Sequence, residues 1–275
     1  MKYKNIIMTM LIIALSAAFI TNAYGRTATE IAPSIRGHWA EGIVTFAYDR
    51  GYLDLTASFD PDAEITRGAF AVLLDIWIGV NRNLLTNHGF RYERKTVAYT
   101  DISPEMPDYR GLLNITGMGI MRGENRRFNP DEGITNQEAA MAWLNVLRLL
   151  RNSNMPDFIS KIDAEAIIER YTDYEDIDKS AVTAVAVMTS LNFMAGYRAG
   201  NFLPERTITY AEALTIFSNV DVNLARGVTA NDIFVPTGSE RRAVNMPDSS
   251  QYIPVLTHHL EHWPDDDLWN WWNSP

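Results

Sequence analysis

FDPDAEITRGAF, residues 59–70, is followed by FNPDEGITNQEA at 128–139 and FLPERTITYAEA at 202–213. Each copy places Phe first, Pro third, an acidic residue fourth and Ile-Thr seventh and eighth. The landmarks are Phe59, Pro61 and Thr66, then Phe128, Pro130 and Thr135, then Phe202, Pro204 and Thr209. The copies begin 69 and 74 residues apart, so the repeating unit is a large supersecondary module and the chain reads as an array.

The phrase encodes a helix start. Thr66, Thr135 and Thr209 each precede an amphipathic stretch and supply an oxygen for an otherwise orphaned helix N–H. Glu138 and Glu212 fall three residues later and complete a capping box, with Ile134 and Ile208 placed as hydrophobic staples. The first copy keeps Ile65 but has Ala69 in the glutamate's place. Downstream, Phe70, Leu73, Leu74 and Trp77 recur at helical spacing, as do Met141, Leu144 and Leu147, and Leu214, Phe217 and Val220. Upstream, the pattern predicts helices over Trp39–Arg50, Tyr109–Met118 and Lys179–Leu191, stopped by Gly51, Gly119 and Asn192. The predicted module is helix, loop, helix, with Phe-x-Pro closing the loop. One such hairpin cannot bury its own apolar face, and three packed together can.

The N-terminus sets a compartment. Lys2 and Lys4 precede an apolar run from Ile6 to Ile20 and small residues at Ala23 and Gly25, the pattern of a secretory signal peptide over residues 1–25. A run of fifteen residues falls short of the roughly 20 that span a bilayer, so an uncleaved anchor is the weaker alternative and no membrane contact is expected after cleavage. The whole chain carries a formal charge of −10, and losing residues 1–25 removes two lysines and makes it −12. Nucleic acid is therefore not an expected partner. With no cysteine, a disulfide framework, a thiolate metal site and a lipidated N-terminal cysteine are all excluded.

The order Trp39-Ala40, Gly51, Phe59-x-Pro61, Ile65-Thr66-Arg67 resembles the S-layer homology repeat of bacterial cell-surface proteins. A second unit opening at Tyr99-Thr100-Asp101 and running through Gly119-Ile120-Met121-Arg122-Gly123, and a third opening at Tyr171-Thr172-Asp173, resemble it too. The resemblance implies repeats at 34–80, 99–150 and 171–220. It also implies an all-α fold: three helix-loop-helix units packed as a three-pronged spindle around a central helical bundle. From Asp221 the repeat is gone, and Gly227, Pro236, Gly238 and Pro247 suit a linker and irregular tail over 221–275. The resemblance further implies a secreted, noncatalytic module without cofactors, held at the cell wall by secondary cell-wall polysaccharide in the grooves between repeats. The candidate polysaccharide-binding residues are Arg67, Trp39, Gly51, Arg122, Gly123 and Arg198. The family's Thr-Arg-Ala-Glu signature survives only as Thr66-Arg67-Gly68-Ala69, Thr135-Asn136-Gln137-Glu138 and Thr209-Tyr210-Ala211-Glu212, so one repeat keeps the arginine. The segments 81–97 and 151–170 also enlarge the connections between repeats.

Arg67 falls in the first turn of its helix, where the macrodipole disfavours a cation by some tenths of a kcal/mol. Either it grips an anion together with free helix N–H groups, or it is an exposed arginine paired with Asp62 or Glu64. Trp39 either stacks on a sugar face or fills a seam between hairpins. Arg122, Arg126, Arg127, Arg198 and Arg206 make the inter-helix loops locally basic, or are scattered solvated charges.

Beyond the repeats, His258-His259-Leu260-Glu261-His262 matches the H-x-x-E-H pattern of zinc proteases. Only thirteen residues follow it, none of them glutamate, and Pro254 and Pro264 confine any helix to about two turns, so a catalytic third ligand is not in reach. Trp263, Trp269, Trp271 and Trp272 crowd the last residues, to hold glycan or a protein partner or to dock on the body. The alternative to wall binding is thus a degenerate repeat scaffold that mediates protein–protein contact at the cell surface.

Overall fold

The computed structural model describes residues 27–90, 92, 95, 98–150, 159–197 and 200–225. The expected signal peptide at 1–25, Arg198, and the histidine and tryptophan clusters of the tail lie outside the described residues. Nine α-helices form among the described residues: α1 Ala28–Ile31, α2 Glu41–Asp49, α3 Arg67–Val80, α4 Arg82–Asn87, α5 Tyr109–Gly117, α6 Asn136–Arg148, α7 Ala164–Ile168, α8 Val182–Ser190 and α9 Tyr210–Ala225. No strand forms among them, and β-type pairing is confined to isolated bridges. The fold is all-α, and none of these helices is long and apolar enough to cross a membrane.

The predicted helix signals operate locally. The Thr66 hydroxyl accepts from the Ala69 N–H at 3.1 Å, and Thr135 and Thr209 accept from Glu138 and Glu212 at 3.3 Å. Both glutamates reach back to the cap N–H, at 3.0 and 2.9 Å. At the other ends, Gly51 and Gly119 both have φ +73° and Asn192 has φ +54°, the left-handed conformation that ends a helix.

The helices do not pair as the sequence implies. Each repeat's second helix lies chiefly on the first helix of the following repeat: α3 on α5, α6 on α8, and α9 back on α2. The cause lies at the cap. Ile65 N–H donates to the Ile208 carbonyl (3.0 Å), Ile208 N–H to Ile134 (3.0 Å), and Ile134 N–H to Ile65 (3.1 Å). Three staple residues, each with no exposed surface, thus close a ring of backbone hydrogen bonds around one axis. From that ring each long helix is aimed at its neighbour's unit, so the repeats interlock in cyclic order.

An aromatic chain fills the centre. Trp77 of α3, Trp143 of α6 and Phe217 of α9, one from each repeat, meet edge to face at 5.0 and 4.8 Å, and Phe70 extends the contact to Phe217 at 5.5 Å. All four are fully buried. The enlarged connections fold onto this body: α7 packs on α8, and Phe90 pairs with Leu150 across the end of α6.

A buried polar cluster ties the first repeat to the third at the far ends of α3 and α9. The Tyr52 hydroxyl donates to Asp221 at 2.7 Å and accepts from Asn81 Nδ2 at 3.0 Å, while Arg50 pairs with Asp221 at 3.1 Å. Burial pushes the Tyr52 phenol up to about 12, and burial does the same to Tyr197. A phenol whose pKa is raised in the folded chain stabilises it below the ordinary value of 10.0, and that contribution is lost as pH rises from 10.0 to about 12. In a spectrophotometric alkaline titration, Tyr52 and Tyr197 should be among the phenols that ionise late, near 12, as the protein loses stability; burial also raises Tyr171. Tyr52→Phe and Tyr197→Phe should each remove one of them; ordinary titration of both near 10 in the folded wild type would contradict the burial.

Candidate functional site

Each junction between repeats is built from the first turn of one long helix and the Phe-x-Pro loop of the next repeat. At the first junction the Arg67 and Gly68 N–H groups donate to the carbonyls of Glu132 and Pro130, both at 2.8 Å. The Asn136 and Gln137 N–H groups donate to Arg206 and Pro204 at 3.0 and 3.1 Å, and those of Tyr210 and Ala211 to Ala63 and Pro61 at 3.0 and 2.9 Å. The donors that an N-terminus leaves unpaired are thus consumed by the adjacent repeat. With the cap serving the Ala69 N–H, the first three donors of α3 are not open to an anion.

Arg67 is 8% exposed. Its Nε donates to the Phe128 carbonyl at 3.1 Å, one terminal nitrogen to the Arg122 carbonyl at 3.0 Å, and the other pairs with Glu138. The guanidinium also lies 5.2 Å from the centre of the Phe128 ring. Glu138 and two carbonyls offset the unfavourable dipole, and neither Asp62 nor Glu64 is the partner. Asp62 instead meets His38 Nε2 at 3.1 Å.

The loop that Arg67 grips is held at every turn. Gly123 N–H donates to the Tyr99 hydroxyl at 3.0 Å, and a Cβ at Gly123 would stand 1.9 Å from the Arg127 carbonyl, so no side chain fits there. Asn125 and Arg126 are left-handed, with φ +49° and +64°. Thr100 donates to the Arg126 carbonyl from its N–H and its hydroxyl, at 2.9 and 3.1 Å. Asp101 accepts from the Phe128 and Asn129 N–H groups at 2.9 and 2.7 Å. Burial alone would raise the Asp101 carboxyl, but those N–H groups outweigh it and hold the pKa below the ordinary aspartate value. Asp173 performs the same service for Phe202 and Leu203, both at 2.7 Å.

The pattern of the S-layer homology domain matches the chain three times, at residues 35–71, 98–140 and 170–214. The chain carries three S-layer homology repeats. Over 174 residues it is 25% identical to cell surface glycoprotein 1 of Acetivibrio thermocellus, a match covering 62% of this chain and 7% of that protein.

Within this triple repeat, the candidate residues Arg67, Arg122 and Gly123 come together at the junction of the first and second S-layer homology repeats. Trp39 does not join them: it is half-buried, with its ring 5.4 Å from that of His38, beside the loop of the first repeat. Gly51 ends α2 next to Tyr52, which reaches Asn81 beyond the C-terminus of α3, while Arg67 begins that helix. Fourteen residues of helix, roughly 20 Å, separate the two ends. Arg198 lies outside the described residues.

The position of Arg67 is occupied by Asn136 and Tyr210 in the other S-layer homology repeats, and each again reaches the next Phe-x-Pro loop. Asn136 Nδ2 donates to the Leu203 carbonyl at 3.0 Å and its oxygen accepts from the Tyr197 hydroxyl at 3.1 Å; Tyr210 meets the Phe59 ring at 5.5 Å. Arg206 is committed to Glu212 and to the face of Tyr197, 4.4 Å away. Sequence reading did not anticipate the aspartate cradles, although Tyr-Thr-Asp stands in two of the three repeats as their signal. In the first repeat Ser34 holds Phe59 through its carbonyl instead. No group of three or more acidic or histidine side chains suited to a metal occurs among the described residues.

Proposed function

We propose that this chain is a noncatalytic cell-surface anchoring module that holds an anionic secondary cell-wall polysaccharide at the junctions between its S-layer homology repeats. The observation that carries the reading is the threefold occurrence of that domain at 35–71, 98–140 and 170–214. The partial relative bearing the name of a cell surface glycoprotein agrees with it. The working units are 34–80, 99–150 and 171–220, and the cyclic order in which the helices pack supports their assembly as a three-pronged spindle. Among the polysaccharide-binding candidates, Arg122 and Gly123 lie on the loop that Arg67 holds, which supports the junction between the first two repeats as the principal contact.

The test is retention on isolated cell walls, compared with the same walls stripped of their acidic substituents. The intact walls should retain the protein and the stripped walls should release it. Failure to sediment with intact walls, or equal retention on both, would end this reading.

A further inference from the structure

The loop 122–127 differs from its counterparts in charge. Arg122-Gly123-Glu124-Asn125-Arg126-Arg127 contains three arginines and one glutamate, a local charge of +2 on a chain whose total is −10. The equivalent stretch of the first repeat, Asp54 to Ser58, contains no cation. The equivalent stretch of the third repeat, Gly196 to Asn201, contains a single cation, Arg198.

The backbone and the side chains of this loop are in opposite situations. Every anchor described above acts on the backbone: Arg67 on the carbonyls of Arg122 and Phe128, Tyr99 on Gly123, Thr100 on Arg126, and Asp101 on the exit at Phe128 and Asn129. The three arginine side chains are left on the exposed side. Among the described residues Arg122 and Arg126 have no acidic partner, and Arg127 has only a distant one, Asp101 at 3.9 Å, with 66% of its side chain exposed. Arg67 is the reverse case, a buried guanidinium committed to Glu138 and two carbonyls.

Resting on the wall-binding reading above, we infer that Arg122, Arg126 and Arg127 are the anion-contacting groups of this protein and that Arg67 is a positioning residue. Arg67 reaches from the first repeat to clamp both ends of the loop that presents them. A loop already fixed in its bound shape avoids the ordering cost of binding. Three planar guanidinium forks within six residues suit a polymer with closely spaced carboxylate or phosphate groups, each able to take a bidentate contact.

Salt dependence separates contact from positioning, because a group that touches the anion contributes to the slope of affinity against ionic strength and a group acting through the loop does not. Binding of the full chain would be measured by titration calorimetry on three probes: polygalacturonate for carboxylate, teichoic acid for phosphate, and dextran as the neutral control. At least one polyanion should bind and dextran should not. Single Arg122→Ala, Arg126→Ala and Arg127→Ala substitutions should each weaken binding roughly fivefold and flatten the salt slope, without moving the melting temperature. Arg67→Gln should weaken binding while leaving the slope as in the wild type, and Arg67→Lys should recover part of the affinity. Arg82→Ala, which removes an exposed cation on α4, should change nothing.

The inference is overturned if Arg67→Gln flattens the slope as a loop arginine does, if the triple loop variant binds like the wild type, or if dextran binds as well as the polyanions. It is also overturned if neither polyanion binds. Should the triple variant still be retained on cell walls, this inference fails while the anchoring function stands. Should the polyanions bind through the loop while walls retain nothing, the anchoring function fails and this inference stands.

Discussion

Trp143→Ala is expected to destabilise the protein by about 3–5 kcal/mol, the range for removing a buried large aromatic, and to loosen all three repeats together. Trp143 has no exposed surface and touches Trp77 of the first repeat and Phe217 of the third. The cavity would open at the axis shared by α3, α6 and α9, where no single repeat can collapse to fill it. A domain of this kind holds only about 5–15 kcal/mol in total, so the loss is a large fraction of its stability. Denaturant unfolding followed by tryptophan fluorescence and by circular dichroism should give coincident transitions at a lower midpoint. Two separated transitions, with the first and third repeats surviving the second, would refute the shared core.

The second large effect is expected from Arg67→Ala, at about 3 kcal/mol. The substitution removes the cation from the Glu138 carboxylate, which keeps only the Thr135 N–H, and takes the Arg67 donor from the Phe128 and Arg122 carbonyls, and such half-emptied sites cost more than the pair contributes when intact. A double variant, Arg67→Ala with Glu138→Ala, should therefore cost less than the two single effects added together. Asp62→Ala is the contrasting control. Its side chain is 69% exposed and meets only His38, so the change should lie within about 0.5 kcal/mol. An Arg67→Ala protein as stable as the wild type, with Asp62→Ala the damaging one, would restore a local pairing inside the first repeat.

What was legible in the chain follows the range of each interaction. The threonine caps, the Glu138 and Glu212 boxes and the left-handed stops at Gly51, Gly119 and Asn192 are contacts within a few residues, and they leave local patterns that recur, the caps and stops in all three copies and the boxes in two. The ring through Ile65, Ile134 and Ile208 left no such trace, because it is made by backbone groups that every residue possesses. Helix pairing was misjudged for the same reason: an apolar stripe states that a helix must be covered, not by which neighbour. The site divides likewise. Arg67 stood out as a cation at a helix start, but its partners Glu138, Arg122 and Phe128 lie 55 to 71 positions away. The cluster of Arg50, Tyr52, Asn81 and Asp221 was invisible, since four polar residues spread over 172 positions form no pattern.

The interlocked packing also bears on how such a protein can change over generations. Because the residue that begins each long helix is matched to its successor's loop, Arg67 to Phe128, Asn136 to Leu203 and Tyr210 to Phe59, the three copies are not cassettes that can be shuffled. Exchanging the order of two would set an arginine against a carbonyl turn shaped for an amide, or a phenol where a cation is needed. Duplication made three alike; thereafter each could drift only in step with the one it leans upon.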